Sequence, residues 1–576
     1  MNSNFKLAEI FNEIADYLDM EGVAFKPRAY EKVAEAIVGM EEDVEALYKR
    51  GGLKALCEIP GVGASIAEKI EEFIKTGKIK YHAELKKETP VELGELRRIE
   101  GLGPKKIKHL YENLGIKNVA DLKKALQAGK IRALEGFGEK SEENLLRGLQ
   151  FLESSGNRYV WSDAQSTVES IKTRFEKLKG VDRVAVAGSF RRHKETIGDA
   201  DILVGASDSK AVMDYFVKMP EVINVIGHGE TKSSVKWRGG MNVDVRVVES
   251  KSYGAALNYF TGSKDHNVRL RQIAIDKGLK LNEYGLWKGE KMIAGATEEE
   301  IYETLGLRYI EPEMREGAGE IELAQKNKLP KIIEYGAIMG DLQVQTNWSD
   351  GAASISDMVS AAIKIGLKYI AITDHTHSLK VTGGLDEKRI LDQIKEIDGL
   401  NKEFRSKKKD FRILKGSECD ILKDGSLDLP DYILEKLDVV GASIHSYFKL
   451  DEEEQTRRLI KAMRNPNVDI IFHPTARLLN KREPLALDMD RIIQTAKETG
   501  TILEINAYPE RSDLSDSYVR KCVELGVKMC IDSDAHHPSH FGHLDNGVGI
   551  ARRGWATKKD IINAHPVEKM LSFLKQ

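Results

Sequence analysis

Six motifs in the C-terminal third share one design, an apolar run that stops at a polar residue suited to a site. They are AITDH ending at His375, KGSECD with Glu418, GASIH with His445, IIFHP with His473, LEINA with Asn506, and IDSDAHH with Asp534 and His536. Short apolar strands alternate with helical segments from Ile338 to the C-terminus. That alternation predicts a βα barrel or a doubly wound sheet. Five of the six motifs put a candidate metal ligand at or just after the C-terminal end of a strand. In a βα barrel those ends converge on one face, where active sites form. One such histidine alone would be read as a structural residue, but several at strand ends predict a metal cluster. A mixed set of His, Asp and Glu suits Zn²⁺, Mn²⁺ or Fe²⁺.

A second concentration of chemistry lies in VAVAGSFRRHKETIGDADILV. A strand over Val184 to Ala187 runs into Gly188 and Ser189, which open a helix. Backbone N–H groups at a helix start suit a phosphate. Arg191 and Arg192 add charge, and an arginine fork can grip a triphosphate bidentately. Asp199 and Asp201 follow on a strand, where residues i and i+2 face one side. Asp244, in NVDVRVV, offers a third carboxylate from another strand. Three carboxylates around one point repel one another unless cations neutralise them, and hard oxygen ligands suit Mg²⁺. Two such ions can activate a 3′-hydroxyl and stabilise the leaving pyrophosphate.

GSFRR, GDADIL, VDVR and YFTGSKDHN, in this order, resemble the motifs of the family X DNA polymerases, from near residue 1 to about 318. The resemblance implies an α+β nucleotidyltransferase palm and a thumb acting in repair gap filling. It implies that Asp199, Asp201 and Asp244 hold catalytic Mg²⁺ or Mn²⁺. Gly188, Ser189 and Arg192 would contact the triphosphate, while Tyr259, Phe260, Gly262 and Asn267 would line the incoming deoxynucleotide. Asn242 stands where polymerase beta has an arginine, which puts transition-state support from that position in doubt.

The N-terminal part predicts helices, with Phe5, Leu7, Ile10, Phe11, Ile14 and Leu18 at helical spacing. It carries one repeat three times: IPGVGASIAEKIEEFI, IEGLGPKKIKHLYENL and LEGFGEKSEENLLRGL. Each copy is an apolar residue, a Gly-apolar-Gly turn and a helix. Such turns let N–H groups approach a DNA phosphate without reading sequence. The repeats resemble helix-hairpin-helix motifs, so Gly61, Gly63, Gly101, Gly103 and Lys105 are the expected DNA contacts. Acidic residues flank the third turn, which makes it the weakest contact. Lys69, in the first hairpin, matches the lysine that forms a Schiff base with a 5′-deoxyribose phosphate in polymerase beta. That chemistry needs an unprotonated amine, so the pKa must fall from about 10.4. Tyr30 also matches, but Phe25 replaces a histidine and Ser65 a lysine, so a catalytic and a plain surface lysine both stay open.

The histidine-rich segment, about 339 to 576, resembles the PHP (polymerase and histidinol phosphatase) domains, which hydrolyse phosphoesters on a metal cluster. Behind a family X polymerase such a domain implies 3′-5′ exonuclease chemistry, usually with Mn²⁺. The implied ligands are Asp350, His375, Glu418, His445, His473, Asp534 and His536. The family's opening motif, HxHTxxSDG, here has Gln343 and Gln345 in place of both histidines. An amide oxygen is a poorer transition-metal ligand than imidazole. The expectation is an impaired nuclease beside an intact polymerase.

With 576 residues the chain has room for about four domains. The expected division is 1–82 (lyase-like helical domain), 83–155 (further hairpins), 156–250 (palm), 251–318 (thumb), 319–338 (polar linker) and 339–576 (distorted β/α barrel). A net charge of -3 means that any DNA-binding surface is local. Four cysteines without a CxxC pair exclude a disulfide framework and predict a reducing, cytoplasmic setting. Neither a signal-peptide core nor a membrane-length apolar run is present. The expected partners are gapped or nicked DNA and deoxynucleoside triphosphates, bound by a monomer. Two rival functions stay open: a DNA-end-binding scaffold, and a phosphatase in which the polymerase core is secondary.

Overall fold

The first helix, Ser3–Met20, buries Leu7, Phe11, Ile14 and Leu18, whose spacing turns them to one face. The structure is a computed structural model that describes residues 3–575 apart from 24, 39, 41–42, 98, 100–101, 155–157 and 409. It divides into two units, residues 1–156 with 480–483, and residues 157–479 with 484–576. The first unit is helical. Its three glycine turns close with the same backbone bond: Val62 N to Ile59 O at 3.0 Å, Leu102 N to Ile99 O at 3.1 Å, and Phe137 N to Leu134 O at 3.0 Å. Gly63 and Gly103 then cap the helices Ala64–Thr76 and Pro104–Leu114 without a side-chain hydrogen bond to the first turn.

The second unit begins with a five-stranded sheet in the order Val181–Val186, Asp199–Ala206, Asn242–Val248, Lys232–Trp237, Val222–His228. Only the pair Asp199–Ala206 and Asn242–Val248 is parallel. Ala200, Ile202 and Val204 alternate inward with Val243, Val245 and Val247, so the aspartates between them face the other side. A small three-stranded sheet, Lys280–Asn282, Gly285–Lys288 and Lys291–Ala294, follows with its own core.

Residues 319–338 are not the solvated linker that their polar composition suggests. They form a helix, Glu320–Gln325, and bury Ile321, Ala324, Leu329 and Ile332 in the thumb core. Glu320 is fully buried and accepts from His266 Nδ1 at 2.8 Å and Gly317 N at 2.9 Å. Charged residues here flank an apolar stripe, and composition averaged the two.

Seven parallel strands follow in chain order, Gly340–Val344, Tyr369–Ile372, Arg412–Asp420, Val439–Ser443, Ile470–Ile471, Ile502–Asn506 and Met529–Asp532. A doubly wound sheet would reverse that order. Instead Val344 bridges Ala535, with Gln345 N to Ala535 O at 2.9 Å, so the first and last strands meet and the barrel is nearly closed. Adjacent strand residues serve two cores: Tyr369 and Ala371 fill the interior, Ile370 and Ile372 the helix layer. No described helix is long and apolar enough to cross a membrane.

The palm docks on the barrel through His193, which is 3% exposed. Its ring lies 4.1 Å from that of Trp161, and Nε2 donates to Asn546 Oδ1 at 3.1 Å. Burial pulls His193 down to about 4. Between that value and the unfolded one the unfolded chain binds more protons, so acid removes stability. Moving from about pH 7 to about pH 5 costs roughly 2 kcal/mol at this residue alone. Urea melts at both pH values are expected to show that loss, and His193→Gln to reduce it by a similar amount.

Candidate functional site

In the palm, register decides the geometry. Asp201 pairs with Asp244 and Asp199 with Asn242 across the parallel strands. Burial first, then Asp199 and Asp244, push Asp201 up to about 6, and Asp199 is raised by burial and Asp244. Lys232 Nζ lies 2.7 Å from Asp244 Oδ2 and relieves part of that repulsion. The three carboxylates are not drawn as close together as the 4.8 Å groups of the barrel described below. Raised, mutually repelling carboxyls on one face fit a divalent cation, which would favour their ionised forms.

Gly188 begins a four-residue helix, Gly188–Arg191, with φ at +63°. A Cβ there would collide with Asp201 Oδ2. Only glycine reconciles the left-handed turn with a carboxylate at that distance. Gly188→Ala is therefore expected to lower kcat/KM for gap filling by more than about tenfold, since a misplaced ligand costs catalysis steeply. Steady-state kinetics at fixed DNA would check this.

The two arginines beside it differ. Arg191 is engaged within the protein, with Glu298 taking it bidentately at 3.0 and 2.6 Å and Thr261 Oγ1 accepting at 2.7 Å. Arg192 donates Nε to Glu316 at 3.0 Å and Nη1 to the Thr261 carbonyl, while Nη2 meets no protein acceptor among the described residues. Thr261 ends the helix Tyr253–Thr261, and the following Gly262 lies against Arg192, while Tyr259 and Phe260 stack edge to face one turn back. Asn267 Nδ2 donates to the Tyr259 carbonyl at 2.7 Å. Ser189 is half-buried in the same turn. Lys232 and Arg246 were missed from the sequence. Arg246, whose guanidinium lies 4.3 Å from the Phe260 ring centre, was legible, since it stands two residues from Asp244 on one strand face.

In the barrel Glu418 lies near the end of its strand, His375, His445, His473, Asp534 and His536 follow two to four residues after theirs, and Asp350 stands in the loop after the first strand. Glu418 is the hub. His473 Nε2 approaches it at 2.8 Å, His445 Nε2 at 3.2 Å, and His375 Nδ1 at 3.3 Å. Asp350 Oδ1 lies 3.7 Å from both His375 and His536. Two groups, Asp350–His375–His536 and His375–Glu418–His445, each bring their ligand atoms within 4.8 Å of one another and share His375. His375 Nδ1, His445 Nε2 and His473 Nδ1 are buried without a hydrogen-bond partner, which fits a cation. Burial would lower His445, but Asp420 and Glu418 outweigh it and raise it to about 9.

Gln343 and Gln345 are fully buried in this cluster. Gln345 donates Nε2 to Glu418 Oε2 at 2.9 Å, so its amide occupies a lone pair that a metal would use. Gln343 Oε1 accepts from Asn506 at 3.0 Å. Gln345 Oε1 and Gln343 Nε2 are left without partners. Sequence reading passed over several supports. Asp420 holds His445 Nδ1 at 2.8 Å, and Asp374 anchors the Asp350 loop through Thr346 and Ser349. Arg511 Nε reaches Asp534 at 3.1 Å. Asp420 could have been found in KGSECD, two residues from Glu418, whereas Arg511 lies in a loop with no pattern.

In the helical unit, the turns of Gly61–Gly63 and Gly103 stay open, and Gly101 lies outside the described residues. Beside the third hairpin, the buried Glu142 carboxylate turns back to the segment that precedes the repeat and accepts Ile131 N at 3.0 Å and Arg132 N at 2.8 Å. Lys105 is exposed, with Asp19 at 3.8 Å. Lys69 Nζ donates to Ser65 Oγ at 3.0 Å and lies 5.3 Å from the Tyr81 ring centre. Burial, with Lys26 nearby, lowers its pKa. Phe25 is 91% exposed.

Family models agree with this layout. The helix-hairpin-helix domain matches residues 2–79, the SAM-like helix-hairpin-helix tandem 93–150, the DNA polymerase beta palm 161–239, the DNA polymerase beta thumb 256–316, and the PHP domain 341–508. Palm, thumb and PHP barrel on one chain define the family X DNA polymerases that carry a PHP domain, and the chain belongs to that family. Along its length it is 38% identical over 575 residues, 99% of both chains, to the DNA polymerase/3'-5' exonuclease PolX of Bacillus subtilis (strain 168). A probable phosphatase of Thermoanaerobacter sp. (strain X514) is 32% identical over 237 residues, 39% of this chain and 89% of that one. DNA polymerase lambda of Rattus norvegicus is 24% identical over 345 residues, 55% of this chain and 56% of that one.

Proposed function

We propose that this chain fills short gaps in DNA by template-directed nucleotidyl transfer, and that its PHP site is a weakened 3′-5′ exonuclease. The observation that carries the polymerase reading is the register that pairs Asp201 with Asp244, beside the Gly188 turn. Mg²⁺ or Mn²⁺ held by Asp199, Asp201 and Asp244 would supply activation of the 3′-hydroxyl and charge for the leaving pyrophosphate. Gly188, Ser189 and Arg192 hold the triphosphate. Tyr259, Phe260, Gly262 and Asn267 line the sugar and base. In the barrel, Asp350, His375, Glu418, His445, His473, Asp534 and His536 would hold Mn²⁺, Zn²⁺ or Fe²⁺, which would activate water. Gln343 and Gln345 remove two imidazoles from that set.

The domain division 1–82, 83–155, 156–250, 251–318 and 339–576 suits these roles, with 319–338 as a packed connection. We assign the protein to the cytoplasm as a monomer. Lys69 is a candidate lyase nucleophile, supported by its lowered pKa. Primer extension on gapped DNA with Mg²⁺ or Mn²⁺ tests the reading. Extension absent under both ions would leave the scaffold or phosphatase alternatives.

The hairpins at Gly61–Gly63 and Gly103, with Lys105, grip the DNA backbone. Binding is therefore expected to be nonspecific, stronger on gaps with a 5′-phosphate, and to weaken roughly tenfold or more between low and physiological salt. Fluorescence anisotropy over a salt series checks it, and a flat dependence would remove the hairpins as contacts.

A further inference from the structure

Two arginines meet at one carboxylate beside the nucleotide site. Glu316 Oε1 accepts Arg192 Nε at 3.0 Å and Arg553 Nη1 at 2.9 Å. Arg553 comes from the barrel, at the end of the helix Leu544–Arg553. Its side chain is 2% exposed. The same Nη1 donates to the Arg192 carbonyl at 2.7 Å, across 361 residues of chain. Nε and Nη2 hold Asp516 at 2.8 and 2.6 Å. Lys194 lies 3.8 Å from Glu316 and is more exposed.

We propose that Arg553 is a positioning residue of the polymerase nucleotide site, supplied by the PHP domain. It neutralises Glu316 and fixes the backbone from which Arg192 projects. This rests on the reading of Arg192 as a triphosphate contact. Glu316 shared between two guanidiniums leaves Arg192 part of its charge. Without Arg553 the carboxylate keeps Arg192 as its one close partner, with only the more exposed Lys194 at 3.8 Å beside it, and an incoming triphosphate must compete with a charge-assisted bond at low dielectric. The neighbouring Arg552 gives a built-in control. It crosses the same interface to Glu313 at 2.6 Å and the Ile333 carbonyl at 2.8 Å, but has no contact with Arg192 or Glu316.

Single-nucleotide gap filling by the full chain, with melting temperatures, tests this. Arg553→Met is expected to raise KM for the deoxynucleotide about five- to tenfold with kcat within about twofold, the mark of lost binding rather than lost chemistry. Adding Glu316→Gln to that variant removes the surplus charge and returns KM to within about threefold of the starting value. Arg553→Lys falls between. Arg552→Met lowers the melting temperature and leaves KM unchanged. If Arg553→Met does not fold, Glu316→Gln alone decides, since freeing Arg192 must not raise KM. Arg192→Met separates the two levels. Should it leave KM unchanged, the triphosphate reading falls and the proposal with it. Should it raise KM while Arg553→Met does not, the proposal alone falls. A rise in KM with Arg552→Met equal to that with Arg553→Met, or no rescue by Glu316→Gln, also overturns it.

Discussion

Asp201→Ala abolishes nucleotide addition while leaving DNA binding within a few fold. The side chain lies between Asp199 and Asp244 on one sheet face, directly across from Asp244 and against the Gly188 turn. Burial, then Asp199 and Asp244, push it up to about 6. A carboxylate kept there against burial and two like charges is stabilised only when a cation is shared. On the proposed reading, alanine removes a carboxylate that would hold the ion and that the Gly188 turn packs against. The expected loss in kcat is about a thousandfold or more, roughly 4 kcal/mol in the barrier. The core beneath, Ala200, Ile202 and Val204, is untouched, so the fold survives. The hairpins lie in the other unit and keep their grip on DNA. Primer extension near the starting rate would remove Asp201 from the mechanism.

Gln343→His together with Gln345→His is expected to raise Mn²⁺-dependent degradation of a single-stranded 3′ end, by about tenfold to a hundredfold. The chain with glutamines keeps Asp350, His375, Glu418, His445, His473, Asp534 and His536, so on the proposed reading it would still bind metal at a weakened site. The damage is local. Gln345 Nε2 donates to Glu418 at 2.9 Å, where an imidazole would bind the ion that Glu418 also binds. Each glutamine also leaves one amide atom without a partner, the mark of a side chain in a place shaped for another. Polymerase activity stays level in the doubly changed chain, because the palm takes no ligand from this motif. Equal degradation by both chains would show that the first motif is dispensable.

Much of both sites was legible because strand periodicity converts sequence spacing into direction. Alternation along one strand put Asp199 and Asp201 on a common face, but that Asp244 lies opposite Asp201 needed the register, and Asp350 was named from the resemblance of its motif. The three hairpins were visible because each repeats one short pattern. What spacing could not supply was competition for a side chain. Arg191 and Arg192 are adjacent and alike in the motif, yet Glu298 consumes the first and leaves part of the second free. In the third hairpin Glu142, acidic and so read as solvent-facing, is buried and holds Ile131 N and Arg132 N ahead of the repeat.

By itself the sequence determined which residue types could carry each reaction and on which local element each stands. Local rules of strand and helix act over a few residues, and they leave a signature that survives without the fold. Only the tertiary structure decided which groups share a partner. The closure of the barrel through Val344 and Ala535, the burial of the 319–338 segment, and the meeting of Arg192 with Arg553 at Glu316 join residues far apart in the chain. Charges and buried polar atoms are settled by whatever lies within a few ångströms, and the order of residues does not encode that distance.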